Sequence, residues 1–266
     1  MGRKEYPETR IVTDFPIKSG TEGARPRIAI PEPCSYDLEY SGRALPAYVR
    51  AVQAAGGEAI VIPLTSSPEE IARIVTLCAA VLLPGSKADV DPQKYNAETH
   101  SKTAPADKLR DAADELLLQD AYNLRKPVFG ICYGLQSLNV WRTGTLVQHI
   151  ESKVNHSAGA KVEVAHKVAV AGDSLLGNEI LRGQKTADVQ VNSSHHQSAD
   201  IVGDGLRAVA TCPEDGVIEA IEGTVPGHYV LAVQWHPERT FEHDEVSSTL
   251  FRKFVESARH WSEGKS

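Results

Sequence analysis

The sequence predicts an α/β protein built on a doubly wound, mostly parallel sheet with antiparallel additions, and two patterns carry that expectation. In the first half, four short apolar runs (Ile28 to Ile30, Ala59 to Ile62, Ala80 to Leu83, Val128 to Ile131) alternate with stretches of helical periodicity. Such runs become strands buried on both faces, and strand-helix alternation lays them parallel with helices on either side. In the second half, strand-like segments follow one another with short links, the mark of antiparallel pairing. The 266 residues suffice for one large domain with a full core.

Residues 1 to 25, charged and carrying Pro7, Pro16 and Gly20, predict a mobile arm, with order beginning at Arg27. The first helix is expected over residues 43 to 55, stopped by Gly56-Gly57, and the second over 68 to 77, with Pro68 in its first turn. A third is expected over 107 to 124, where Leu109, Ala112, Ala113, Leu116, Leu117 and Ala121 form an apolar face. Strands are then expected at Lys161 to Val164, Lys167 to Val170, Ala187 to Val191, Leu206 to Thr211, Val217 to Ile221 and Tyr229 to Gln234, with a short helix near Ser174 to Ile180. Val246, Leu250, Phe254, Ala258 and Trp261 mark a closing helix from His243 to Trp261. The chain has no internal repeat or low-complexity stretch.

A net charge of −7 with scattered basic residues disfavours nucleic acid as a partner. Four cysteines, Cys34, Cys78, Cys132 and Cys212, lie far apart without CxxC spacing, so a structural zinc is not expected and a reducing compartment is. No run approaches the length of a membrane span, and residues 1 to 25 lack a signal peptide's apolar segment. The expectation is a soluble, cytoplasmic protein without a membrane partner.

Cys132 lies between the Val128 to Ile131 run and the start of a helix. Unpaired amides and partial positive charge at a helix N-terminus favour a thiolate and offer donors to an oxyanion, the Tyr133 amide first. Gly130 and Gly134 permit a sharp turn there. Downstream, His236 and Glu238 follow another apolar run, two residues apart; the imidazole can exchange a proton with the thiol and the carboxylate can hold its tautomer. Gly85-Ser86, Cys132 and His236 each follow a predicted strand, where open α/β sheets bind ligands. Gln136, one helical turn past Cys132, can face the same pocket. The polar run Asn192 to Gln197 contains adjacent histidines, which raises the question of metal. Adjacent side chains diverge on a strand, and no HxxxH or HxH spacing or carboxylate cluster completes a set, so no metal is expected. Residues 89 to 106 form a long irregular link.

Four segments together resemble the class I glutamine amidotransferase superfamily, in its γ-glutamyl hydrolase branch, peptidase family C26: Leu82-Leu83-Pro84-Gly85-Ser86 with Asp89-Val90-Asp91-Pro92, the Cys132 segment, Val191 to Gln197, and Gln234-Trp235-His236-Pro237-Glu238. The resemblance implies a flavodoxin-like catalytic domain over residues 26 to 266 and a Cys132, His236, Glu238 triad. It further implies an oxyanion hole of the Gly85 and Tyr133 amides, a glutamyl pocket with Gln136, Ser194 and His195, and a loop-ordering role for His196. The implied reaction is hydrolysis of a small γ-glutamyl amide through a glutamyl thioester, with no cofactor; a homodimer is left open. Two departures bear on substrate choice: Tyr133 stands where the branch often has arginine, and Arg142-Thr143-Gly144-Thr145-Leu146 replaces Gly-Gly-Thr-Leu. Two alternatives stay open: an amidotransferase subunit supplying ammonia to a synthase, and a catalytically silent binding or regulatory module.

Overall fold

The structure, a computed structural model, describes residues 25–181 and 189–264. The expected arm, up to residue 24, and the first two residues of the expected Ala187 to Val191 strand lie outside the described residues. In chain order the strands are β1 (Arg27–Pro31), β2 (Glu58–Ile62), β3 (Ala80–Leu83), β4 (Val128–Ile131), β5 (Leu146–Val147), β6 (His166–Val170), β7 (Val189–Val191), β8 (Ser198–Ala199), β9 (Leu206–Thr211), β10 (Ile218–Gly223) and β11 (Val230–Val233). The helices are α1 (Leu38–Ala54), α2 (Pro68–Thr76), α3 (Lys108–Leu124), α4 (Tyr133–Trp141) and α5 (Glu245–Glu263).

Nine strands form one sheet in the order β2-β1-β3-β4-β11-β10-β9-β6-β7. The first five run parallel, and each of the rest is antiparallel to its neighbour. Successive strand residues point to opposite faces. Ile28, Ile30, Leu82, Phe129, Ile131, Leu231 and Val233 therefore pack on one face with α1 and α5, whereas Ala29, Val81, Leu83, Val128 and Ala232 pack on the other with α2, α3 and α4. Burial of both faces is why these strands read as unbroken apolar runs rather than alternating ones.

Side-chain caps set where helices begin. Asp37 accepts from the Tyr40 amide, so α1 starts before the expected residue 43 and runs through Pro46. Ser67, Asp107 and Asp244 cap α2, α3 and α5 in the same way. The closing helix and the second helix lie where their periodicity places them, and the short helix near Ser174 is a π-helical turn at Leu176–Leu181.

Two expectations are corrected. Lys161 to Val164 is not a strand: Val162 bonds back to Gly159 in a turn, Val162 and Val164 stay exposed, and β6 begins only at His166. On α3, Leu109 and Ala112 are exposed, and the buried face is Arg110, Asp111, Ala113, Asp114, Leu117, Leu118 and Ala121. A buried ion pair, Arg110 Nε to Asp114 Oδ1 at 2.7 Å, turns the helix that way. The long link after β3 holds a 3-10 turn at Pro92–Tyr95 and is tied down by Asp89, which accepts from the Ala104 amide, and by Gln148, which accepts from the His100 amide.

Candidate active site

β3, β4 and β11 are neighbours in the sheet, so the residues leaving their carboxyl ends converge. After β4, Cys132 adopts φ 53° and ψ −106°. A non-glycine residue held there costs on the order of 1–3 kcal/mol, which surrounding bonds must offset. Its amide donates to Val233 O at 2.8 Å, and its carbonyl accepts from the Leu135 and Gln136 amides, starting α4 immediately. The Tyr133 amide, at the first helical position, has no partner within the helix. This turn is packed too tightly for side chains at its glycines. A Cβ on Gly134 would collide with Leu83 O, and one on Gly130 would stand 2.8 Å from Gly134 O.

After β11, His236 Nδ1 lies 2.8 Å from Glu238 Oε1, both side chains being buried. His236 is held by a reciprocal pair with Asn192: its amide donates to Asn192 Oδ1, and its carbonyl accepts from Asn192 Nδ2, each at 2.8 Å. Its Nε2 has no hydrogen-bond partner among the described residues. Burial alone would lower the His236 pKa, but the Glu238 carboxylate and then Cys132 outweigh it and raise the value to about 9. Burial pushes Glu238 up, and His236 more than compensates, so its carboxyl titrates below its ordinary value.

After β3, Gly85 lies against both His236 and Cys132. A Cβ there would lie 3.0 Å from the Tyr48 hydroxyl, 3.1 Å from His236 Cε1 and 3.6 Å from Cys132 Cβ, so the absent side chain is what lets these groups meet. The Gly85 amide donates to the Tyr48 hydroxyl at 3.1 Å. Arg110 supports the same turn by donating to Pro84 O at 2.7 Å. Tyr133 turns its phenol away into this network, donating to Asp111 Oδ1 at 2.7 Å.

The remaining sequence-predicted residues separate. Gln136 is buried, its amide donating to Gln197 O and Gln234 Oε1. Ser194 accepts from Arg239 Nη1 at 3.0 Å, next to Glu238. His196 reaches Asp89 at 3.1 Å and so ties the Asn192 to Gln197 segment to the long link. His195 points the other way, into a buried group with His156, His166 and Glu219. The spacing argument against metal missed this group because its partners come from other segments. Sequence reading also assigned no role to Tyr48, Arg110 or Asn192; an arginine four residues before Asp114, on a helix with a buried apolar face, was the one usable signal.

Burial raises the other thiols: Cys34 above its ordinary value, Cys78 to about 12 and Cys212 to about 11. Among the described residues no helix is long and apolar enough to cross a membrane.

A cysteine at a strained strand-helix turn, flanked by His-x-Glu just after the neighbouring strand of this mixed sheet, defines a class I glutamine amidotransferase-like protein. Within that class the chain belongs to the peptidase C26 family, whose model matches residues 34–238. It is 34% identical over 213 residues to the glutamine amidotransferase-like protein YvdE of Lactococcus lactis, covering 78% of this chain and 86% of that one. It is 30% identical over 224 residues to the gamma-glutamyl-gamma-aminobutyrate hydrolase PuuD of Escherichia coli K12, covering 80% and 85% respectively. A GMP synthase component from Thermoplasma acidophilum, known from its crystal structure, superposes with a TM-score of 0.61 at 14% identity, over 91% of this chain and 98% of that one, and shares the fold.

Proposed function

We propose that the protein hydrolyses the γ-glutamyl amide bond of a small γ-glutamyl amine or peptide, with Cys132 as nucleophile, His236 as acid and base, and Glu238 as the partner that orients His236. The supporting observation is the His236 geometry: Nδ1 is committed to Glu238, Nε2 is left without a partner, and Cys132 is near enough to raise the imidazole's affinity for a proton. The Cys132 thiolate attacks the side-chain carbonyl of the glutamyl unit. The tetrahedral oxyanion is met by the Tyr133 and Gly85 amides, and each such donor contributes roughly a hundredfold to a thousandfold in rate. The C–N bond breaks as the His236 imidazolium protonates the departing amine, leaving a glutamyl thioester. Neutral His236 then takes a proton from water, the hydroxide attacks the thioester, and glutamate leaves as the thiolate re-forms. Gln136 and Ser194 are assigned to holding or framing the amino acid end of the substrate, whereas the His195 ring, turned toward Glu219, does not reach it.

The Gly85 amide's bond to the Tyr48 hydroxyl favours a second reading, in which the hole is completed only when a partner or substrate displaces Tyr48. An amidotransferase subunit that delivers ammonia to a synthase would behave so. A panel of γ-glutamyl amines, scored by released glutamate, with intact-mass detection of a glutamyl adduct on Cys132 after acid quench, tests the hydrolase. Glutaminase activity that appears only with an added partner would transfer the assignment to the second reading.

A further inference from the structure

Away from Cys132, four buried side chains from four segments meet: His156 in the loop before β6, His166 at the start of β6, His195 between β7 and β8, and Glu219 on β10. Their relative exposures are 3%, 6%, 5% and 0%, which shields them from bulk solvent. His156 Nδ1, His166 Nε2 and His195 Nε2 lie 3.2, 3.3 and 3.6 Å from the same oxygen, Glu219 Oε1. None of these nitrogens, and neither Glu219 oxygen, has a hydrogen-bond partner among the described residues.

The opposite nitrogen of each ring does have one. His156 Nε2 meets Asp215 Oδ2 at 2.8 Å, His166 Nδ1 meets Lys167 O at 3.2 Å, and His195 Nδ1 meets Gln197 O at 3.0 Å. Carboxylate and carbonyl oxygens only accept, so each ring, when neutral, keeps its proton on that outer nitrogen and turns a lone pair toward Glu219. Three lone pairs around a carboxylate repel, and in a buried site that is costly unless a cation lies between them. One extra proton relieves one ring and leaves two. A doubly charged ion among three neutral imidazoles relieves all three and balances Glu219 and Asp215.

We propose that His156, His166, His195 and Glu219 bind one divalent transition-metal ion, with Zn2+ the best match to this donor set. Donors about 2.0–2.1 Å from a tetrahedral zinc stand about 3.3–3.4 Å from one another, close to the spacings around Glu219. Outer-nitrogen bonds to carboxylate and carbonyl oxygens are the usual way such rings are oriented. Four protein ligands close the coordination shell, so the ion is structural and takes no part in the Cys132 chemistry. Its position gives it work: His156 O accepts from the His195 amide and from Ser193 Oγ, at 2.8 and 2.6 Å, and Asn192 in the same segment grips His236 on both sides. The ion would anchor the segment that positions His236.

The test is the metal content of the full chain, freed of any affinity tag, by plasma mass spectrometry after growth with added zinc, followed by chelation and refilling. About one Zn2+ per chain is expected, with a melting temperature that falls on removal, recovers with Zn2+ and ignores Mg2+. Co2+ refilling should give the visible absorption of a tetrahedral site. Asp215→Asn should keep one ion but weaken its binding about 10–100-fold. His166→Ala and Glu219→Gln should lose the ion, and His196→Ala, altered at the adjacent histidine, should keep it. A wild-type protein that carries no metal, and whose melting temperature does not respond to Zn2+, overturns the proposal whether or not the variants fold; the cluster would then be held by protons alone.

Discussion

His236 and Glu238 stand two residues apart on one turn after β11, whereas Glu219 gathers His156, His166 and His195 from three other segments. Both assemblies are buried imidazole-carboxylate contacts, yet their proton needs differ. In the first, one imidazole faces one carboxylate at 2.8 Å, a single proton satisfies the pair, and the other ring nitrogen is left for a reacting group. In the second, three imidazoles crowd one carboxylate at 3.2 to 3.6 Å, and one proton cannot serve them. A pair with an open nitrogen is equipped for proton transfer; a closed set of donors is equipped to hold an ion. The Asn192 to Gln197 segment connects them, contributing Asn192 to one side and His195 to the other.

The contrast between the two assemblies is tested most severely at Cys132. If chemistry resides in the first assembly alone, Cys132→Ala should lower kcat by about a millionfold, because a triad acts as a unit, while the melting temperature stays near that of the parent. Turnover of a γ-glutamyl amide above about one hundredth of the parent rate would remove Cys132 from the mechanism. Glu238→Gln should cost about ten-thousandfold in kcat, the scale seen when a triad imidazole loses its orienting carboxylate.

The same substitution probes the pH dependence. His236 is raised from an ordinary 6.5 to about 9, so the stability its imidazolium contributes is complete below 6.5 and is lost as the pH rises through about 9. Glu238 is lowered, so its contribution is present above the ordinary carboxylate range and is lost as the pH falls through its folded-state value. In an NMR titration the His236 resonance should turn over near pH 9 in the parent and lower in Glu238→Gln. An unchanged midpoint would show that Glu238 is not the cause.

Gly85→Ala sharpens the picture at the third strand end. Its new methyl would stand 3.0 Å from the Tyr48 hydroxyl and 3.1 Å from His236 Cε1, so kcat should fall by about a hundredfold to a thousandfold with little change in KM. A shift confined to KM would move Gly85 from the oxyanion hole to the substrate pocket. Ser194→Ala removes one hydrogen bond and, if Ser194 frames the glutamyl group, should raise KM about fivefold with kcat nearly constant, as steady-state kinetics would reveal. The smallest effect is expected at His196→Ala, which breaks a partly exposed contact to Asp89 at 3.1 Å and should cost less than about 1 kcal/mol by chemical denaturation. A loss of several kcal/mol would mean that the two adjacent histidines share one role.

Much of the fold was legible because its signals are local. Four apolar runs and the second and third helices appear where periodicity places them, the first helix begins earlier at its Asp37 cap, and Cys132 falls at the strand-helix junction its neighbours imply. Lys161 to Val164 misled because alternating valines look like a strand, while pairing requires a neighbour that this segment lacks among the described residues. The α3 face misled for a similar reason: apolar spacing ignored that a buried arginine can be satisfied by Asp114, Pro33 O and Pro84 O.

By itself the sequence determined the layers, the strand-end positions of Gly85, Cys132 and His236, and the His236–Glu238 pair, since each depends on residues within a turn or two of one another. Only the tertiary structure decided which groups face them: Tyr48 on the Gly85 amide, Asn192 around His236, and Glu219 among three histidines. Adjacent residues on an extended segment point to opposite sides. His195 and His196 therefore look alike in sequence, and it took the packing of β6 and β10 beside them to send one to Glu219 and the other to Asp89.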